Sequence, residues 1–351
     1  MRSHAGHIAP LDGLRGLAAL IVLVSHLSNE TGLLRGALGA GAGQLGVMLF
    51  FALSGFLMAH VTWGTPPTVA ALRRFAVHRG SRVLPLFYVA VLAAFVAPGP
   101  FAVDALTDLL SHLALLKGDR VFWTVPVEIG FYLIFPTLWL LRGRGEALLL
   151  WGAAGLIALG TLLRVATEPS GVQILGVAWF LPAFALGVLA CLAQRRGLRV
   201  PLPDLVLALG AILLLLAYPR ASQVLLGVTA SPWDRPSVLL LMPVLLLAAV
   251  QAPLGGRVLG AAPARWLGKV SYSLYLWHLF VMAGVAHLTG WVQTAPWAYV
   301  AAVLVLSALA AEASYRLIEA PSRRWLNARF AGPRPDAKTK GGGIVAAPRL
   351  G

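Results

Sequence analysis

Residues 11–28 read LDGLRGLAALIVLVSHLS. The stretch is apolar enough for a membrane interior, yet it carries Asp12, Arg15 and His26. Arg15 and His26 are eleven positions apart. At ~100° per residue, eleven steps of α-helix make three turns plus ~20° and a rise of ~16 Å. Both side chains therefore leave one face of one helix. Asp12, about a turn before Arg15, can pair with it. A charged side chain at mid-membrane costs at least ~2.5–3.5 kcal/mol, so such residues line a protein interior or a cavity. Snorkelling of Arg15 to the interface, and a bond from His26 to a neighbouring helix, would also satisfy the pair.

The rest of the chain has the same character. Hydrophobic residues make up 59 % of its 351 positions and charged residues 12 %, against about 25 % charge in soluble domains. Mean hydropathy is +0.81. Ten apolar stretches approach the roughly 20 residues that cross a bilayer. They are 8–28, 44–62, 83–101, 122–141, 146–166, 174–193, 203–220, 236–252, 270–290 and 295–315. The expected fold is an all-α integral membrane bundle of about ten helices, a single domain over 1–330. Asp12 and Arg15 make a poor signal-peptide core, so the first run is expected to be retained. Segment 102–121, with Asp104, Asp108, His112 and Lys117, is expected to be interfacial or re-entrant. Residues 331–351, rich in Gly, Pro and Lys, are expected to be a disordered polar tail. Cys191 is the only cysteine, so no internal disulfide can form.

The net charge of +15 is not a nucleic-acid signature, because the cations sit in short clusters between apolar runs. With the N-terminus inside, 22 of the 28 Lys and Arg residues fall on the cytoplasmic side and six on the other. That asymmetry places both termini in the cytoplasm. Arg79 and Arg82 are expected in a cytoplasmic loop. His4, His7, His60, His78, His112 and His287 lie near span ends and read as solvated. Glu312 reads as a carboxylate deep in the last span, and Glu319 with Arg323 and Arg324 as an interfacial ion-pair cluster.

Further stretches carry a resemblance. GVMLFFALSGFLM (46–58), RGSRVLPLFY (79–88), FWTVPVEIGFYLIFP (122–136), SYSLYLWH (271–278) and YRLIEAPSRR (315–324) follow the Arg15–His26 span in order. The ordered set resembles the acyltransferase-3 family of bacterial integral-membrane O-acyltransferases. Met48 departs from the acidic or polar residue that family often has there. The resemblance implies transfer of an acyl group, usually acetyl, from acetyl-CoA to a hydroxyl of a carbohydrate or other small acceptor. It implies a multi-pass protein of the cell (inner or plasma) membrane.

Against that chemistry, Arg15, Arg79 and Arg82 suit the phosphates of the acyl-CoA, since a guanidinium offers a fixed fork of donors. His26 suits the general base. Glu128 could orient His26, sit near the acceptor, pair with an arginine or bond the helix end after Pro126. Tyr132, Tyr275 and His278 are candidates to line the substrate site, and Tyr272 shares the face of the last two. Ser54 and Gly55 read as a close helix contact. No zinc-ligand spacing and no Gly-rich phosphate loop is present. A polytopic transporter, or a translocator of acyl groups without its own chemistry, is the competing class; no repeat relates the two halves. Reporter fusions test the topology: one after Arg144 and one at the C-terminus should read as cytoplasmic. An external reading at the C-terminus would overturn it.

Overall fold

Pro10 sits in the first turn of helix α1 (Ala9–Thr31), where its missing N–H forfeits no helical bond. Gly32, at φ 66°, ends the helix in the left-handed region open to glycine. The computed structural model describes residues 7–166, apart from 98, 100 and 102, and residues 175–332. No strand occurs among them. The helices that follow are α2 (Gly43–Thr62), α3 (Val69–Val96), α4 (Leu106–Leu113), α5 (Thr124–Arg144), α6 (Glu146–Ala166) and α7 (Val177–Arg195). Next come α8 (Pro203–Leu216), α9 (Pro219–Leu226), α10 (Pro236–Gln251), α11 (Pro253–Leu259) and α12 (Ala262–Thr289). The series closes with α13 (Trp291–Thr294), α14 (Pro296–Ser314) and α15 (Ala320–Phe330). The expected tail lies outside the described residues from 333 onward.

Seven helices are long and apolar enough to cross a membrane, or up to nine if each of two bent pairs is one span. Each pair breaks at a proline that cannot extend the preceding helix. α8 and α9 meet at 87° before Pro219, and α10 and α11 at 95° before Pro253. Asp204 on α8 caps α11 from a distance, its Oδ1 accepting from Leu254 N at 3.0 Å and Gly255 N at 2.8 Å. The expected count was ten. The tenth stretch, 270–290, falls on α12, whose 28 residues include Lys269, His278 and His287.

The bundle is apolar outside as well as inside. α6 buries only Leu149, Ala153 and Gly160 and leaves Trp151 77 % exposed. A helix facing water would be polar there; this surface suits lipid. In lipid, helices associate by close van der Waals packing rather than by hydrophobic force. Two glycines provide it. A Cβ on Gly187 of α7 would collide with the Ala52 carbonyl of α2, and one on Gly268 of α12 with the Asp12 carbonyl of α1. α1–α12 and α2–α7 are accordingly the most extensive helix contacts. Gly268 meets Asp12 and His278 meets His26, so α1 and α12 run in the same direction.

Several expectations need correction. Arg79 and Arg82 are not in a loop: α3 begins at Val69, fourteen residues before the expected span, started by Thr68, whose hydroxyl accepts from Ala71 N at 3.3 Å. The arginines dilute the apolar signal of that part of the helix without breaking it. His112 is not solvated but fully buried, and His60 is 9 % exposed beside Arg195, 3.1 Å away. Glu312 falls inside the candidate span Pro296–Phe330, in which α14 runs on through a π-helical turn into α15, and it accepts from Trp266 Nε1 at 2.8 Å and Arg316 Nε at 2.5 Å. Glu319 forms no ion pair with Arg323 or Arg324 among the described residues. It is 3 % exposed, in a π-helical turn (Tyr315–Glu319), and accepts from Ser273 Oγ at 3.1 Å. Segment 102–121 supplies only the eight-residue α4 and the start of a single turn, too short to cross.

Overpacking a tight contact costs about 1–3 kcal/mol. Gly187→Leu should therefore lower the thermal midpoint of the detergent-solubilised protein. Gly155→Leu, at a position with open space around its Cβ, should not. Equal behaviour of the two variants would refute the α2–α7 contact.

Candidate active site

Three arginines converge on one internal cavity. Arg15 comes from α1, and Arg79 and Arg82 from successive turns of α3. The cavity, of about 720 Å³, is also lined by Ser54, Glu128, Tyr272 and Tyr275. Arg15 lies 3.8 Å from Asp12, which His7 also contacts at 2.5 Å. The Arg79 guanidinium sits over the rings of Phe75 and Tyr132, 5.8 Å and 5.9 Å from their centres. Glu128 is the only carboxylate in the lining. Its Oε1 accepts from Ser54 Oγ at 2.9 Å and Tyr132 OH at 2.5 Å. With Arg15 paired to Asp12, Arg79 and Arg82 stand against Glu128, an excess of one positive charge among the described residues of the lining and a setting for an anion. Tyr272 ties α12 to α3 by donating to the Val83 carbonyl at 2.7 Å.

His26 lines a second cavity, of about 670 Å³, with Ser25, Asn29, Gln44, Arg120 and Trp123. Val47 and Tyr275 line both cavities. The two spaces thus abut across one layer of side chains, with Arg15 at one end of the α1 face and His26 at the other.

The hydrogen-bond chain around His26 fixes its tautomer. His278 Nδ1 is 3.2 Å from the Leu274 carbonyl, which can only accept. Nδ1 therefore carries the proton and Nε2 is bare. His26 Nδ1 lies 2.8 Å from that Nε2, so His26 must donate from Nδ1. Its own Nε2 is left with a lone pair and no protein partner among the described residues. His278, 1 % exposed, is thus the residue that aims His26.

The expected site residues divide accordingly. Arg15, Arg79, Arg82 and Glu128 come together, with Tyr132 as a ligand of Glu128. His26 and His278 form a separate pair, and Tyr275 borders both groups. Glu128 does not touch His26. Met48 is buried in the core, and Cys191 is buried on α7 away from both cavities. Sequence reasoning missed Asn29, Gln44, Arg120 and Trp123. It also missed a third cavity, of about 1100 Å³, which shares Arg79 and Arg82 with the first. That space is lined further by Arg74, Arg323, Asn327, Phe75 and Trp139 and by no carboxylate. α15 brings Arg323 there by docking on α3, where Arg73 Nε donates to the Phe330 carbonyl at 3.0 Å and Ser81 Oγ to Asn327 at 3.1 Å. The run of three cationic positions at 323–329 was the available signal.

An apolar helical bundle thus places an arginine cluster and a hydrogen-bonded histidine pair in neighbouring cavities. The chain belongs to the acyltransferase-3 family, whose profile, described as an acyltransferase domain, matches residues 8–314. It is similar to peptidoglycan O-acetyltransferase OatA of Listeria monocytogenes, 24 % identical over 91 % of this chain and 56 % of that protein. It is also similar to acyltransferase MdmB of Streptomyces mycarofaciens, 28 % identical over 97 % of each, and to exopolysaccharide production protein ExoZ of Rhizobium meliloti, 26 % identical over 82 % of this chain and 92 % of that one. The chain spans little more than half the length of the Listeria protein. No solved structure matches it significantly.

The tautomer assignment is open to measurement. Nitrogen NMR of the histidine-labelled protein, assigned with His278→Gln, should show His278 protonated at Nδ1 and bare at Nε2. An Nε2-protonated His278 would break the chain that leaves His26 Nε2 free.

Proposed function

We propose that the protein is a membrane O-acyltransferase that moves an acyl group, acetyl in the simplest case, from acyl-CoA to a hydroxyl of a carbohydrate or similar acceptor. The observation that carries this reading is the pair of abutting cavities, one holding Arg15, Arg79, Arg82 and Glu128 and the other His26 with a free Nε2. The relatives named for O-acetylation and exopolysaccharide production support the acceptor class.

The donor enters through the third cavity. Arg74, Arg79, Arg82 and Arg323 bind the phosphates of CoA, and Phe75 and Trp139 offer faces to the base. The pantetheine arm then runs past Ser54 and Glu128 toward Tyr275 and Val47. The ~16 Å rise between Arg15 and His26 matches an extended arm that carries the thioester inward. At the far end the acceptor hydroxyl lies against His26 Nε2. Its oxygen attacks the thioester carbonyl as its proton passes to Nε2. The imidazolium is held through Nδ1–H by His278. Collapse of the tetrahedral adduct breaks the C–S bond, and the thiolate recovers the proton from His26. The products are an ester and free CoA thiol. Glu128, bonded to Ser54 and Tyr132, keeps the arginine cluster partly neutralised and leaves proton transfer to His26. The residues invoked include no metal ligand set, and no group that could hold a metal is found among the described residues. Ten crossings, both termini in the cytoplasm and residence in the cell membrane complete the reading.

Purified protein in nanodiscs, supplied with radiolabelled acetyl-CoA and oligosaccharide acceptors, tests it. His26→Gln should reduce transfer by ~10²–10⁴, the usual worth of a general base, while acetyl-CoA binding persists. Arg82→Ala should instead weaken donor binding, and Arg82→Lys should restore it in part, since a point charge replaces a fork. Near-normal transfer by His26→Gln, or unchanged donor affinity in Arg82→Ala, would defeat the corresponding half of the mechanism.

A further inference from the structure

The cavity at His26 is lined by Ser25, Asn29 and Gln44, whose side chains can donate to a ligand. Asn29 Oδ1 is already used by Ala40 N at 2.7 Å, and Gln44 Oε1 by the Ser231 hydroxyl at 2.6 Å. Ser25 Oγ accepts from Gly43 N at 2.9 Å. Each of these oxygens already accepts one bond, and the amide N–H and hydroxyl O–H groups remain available to a ligand in the cavity. The lining contains one permanently charged group, Arg120, and no carboxylate.

Arg120 has no ion-pair partner among the described residues, although Asp119 precedes it. That carboxylate faces another cation: Asp119 Oδ2 lies 3.3 Å from Lys117 Nζ. Lys117 also donates to Asp108 at 2.9 Å, and this bond holds the Asp108 carboxyl below its ordinary range. His112, fully buried, lies with Nδ1 2.8 Å from the Asp108 carbonyl and accepts from Asp119 N at 3.2 Å. The loop is thus tied down on both sides of Arg120, whose backbone is held at φ 52°, an unfavourable conformation for an arginine. Trp123, on the next turn, is fixed by the rings of Phe51, Phe180 and Trp233. The tying-down occupies Asp108 and Asp119 and leaves Arg120 without an ion pair among the described residues, at the cavity that holds the proton acceptor.

We propose that the acceptor is an anionic sugar, bearing a carboxylate or phosphate beside the hydroxyl that reacts, and that Arg120 binds that anion. Asn29, Gln44 and Ser25 donate to the neutral oxygens of the same ring, and Trp123 offers it an aromatic wall. The anchored anion sets which hydroxyl reaches His26 Nε2. The inference rests on the transferase reading for the word acceptor, but the anion site itself is independent of it.

Binding separates the two. Oligosaccharides of glucuronic acid and of glucose, and a glucose phosphate, are titrated against the full-length protein in neutral-lipid nanodiscs. The acidic and phosphorylated sugars should bind about tenfold or more tightly than glucose oligomers, the worth of one charge-assisted hydrogen-bonded contact. Arg120→Gln should abolish the difference and Arg120→Lys should keep part of it, with acetyl-CoA affinity reporting that each variant is folded. Equal affinity for acidic and neutral sugars, or a preference that survives Arg120→Gln, would overturn the proposal. So would loss of the preference on adding anionic lipid, since Arg120 would then serve a lipid headgroup. Failure of every sugar to be acetylated while the Arg120-dependent preference persists would count against the transferase reading alone.

Discussion

With no hydrophobic force to draw helices together inside lipid, α1 and α12 meet only as closely as their backbones permit. Gly268 permits the closest approach, placing α12 against the Asp12 carbonyl near the start of α1. Because the two helices run in the same direction, that contact sets their register along the rest of their length. Ten residues further along α12, His278 arrives within 2.8 Å of His26. A hydrogen bond tolerates an error of a few tenths of an ångström, and a side chain at position 268 would displace the backbone by more. The tautomer of His26, and with it the free lone pair, therefore depends on a residue that touches neither cavity. Tyr272, bonded to the Val83 carbonyl, carries the same register across to α3 and its arginines.

The two ends of the site differ in electrostatic character and share one purpose. At one end, Arg15 pairs with Asp12 while Arg79 and Arg82 face Glu128, and burying an excess of charge costs on the order of several kcal/mol unless an anion arrives. At the other end, the histidine pair is built from neutral donors and acceptors, each with a partner except the one left open. An arginine cluster and an open lone pair, linked by the α1 face that carries Arg15 and His26, are the arrangement on which the proposed group transfer rests.

Much of this was legible. The eleven-residue spacing of Arg15 and His26 placed them on one face, and each apolar run falls on a helix. The helical period reads along a chain, however, and not between distant segments. Nothing in the sequence pairs His26 with a residue 252 positions away; only the motif around SYSLYLWH singled out His278, and it left the role open. α3 was read short because a hydropathy window stops at arginine, whereas a helix whose arginines face an internal cavity does not. Glu319 was misread for a related reason: charged neighbours suggested a surface cluster, but a π-helical turn carries its carboxylate into the bundle beside Ser273. His112 looked solvated because burial of a residue on so short a helix depends on what folds over it.

The shared wall of Val47 and Tyr275 has an electrical consequence. If the two cavities open toward opposite faces of the membrane, only a thin sheet of low-dielectric material separates them. A membrane voltage falls mainly across such material, at about 2.3 kcal/mol per unit charge for each 100 mV. In that arrangement one apolar residue and one phenol would insulate an energised membrane at this point. They must keep ions and hydronium from crossing while leaving a passage narrow enough for a linear, uncharged arm. A side chain much smaller than valine at position 47 would thin that insulation, and the cell would meet the fault as leaked current rather than as lost chemistry.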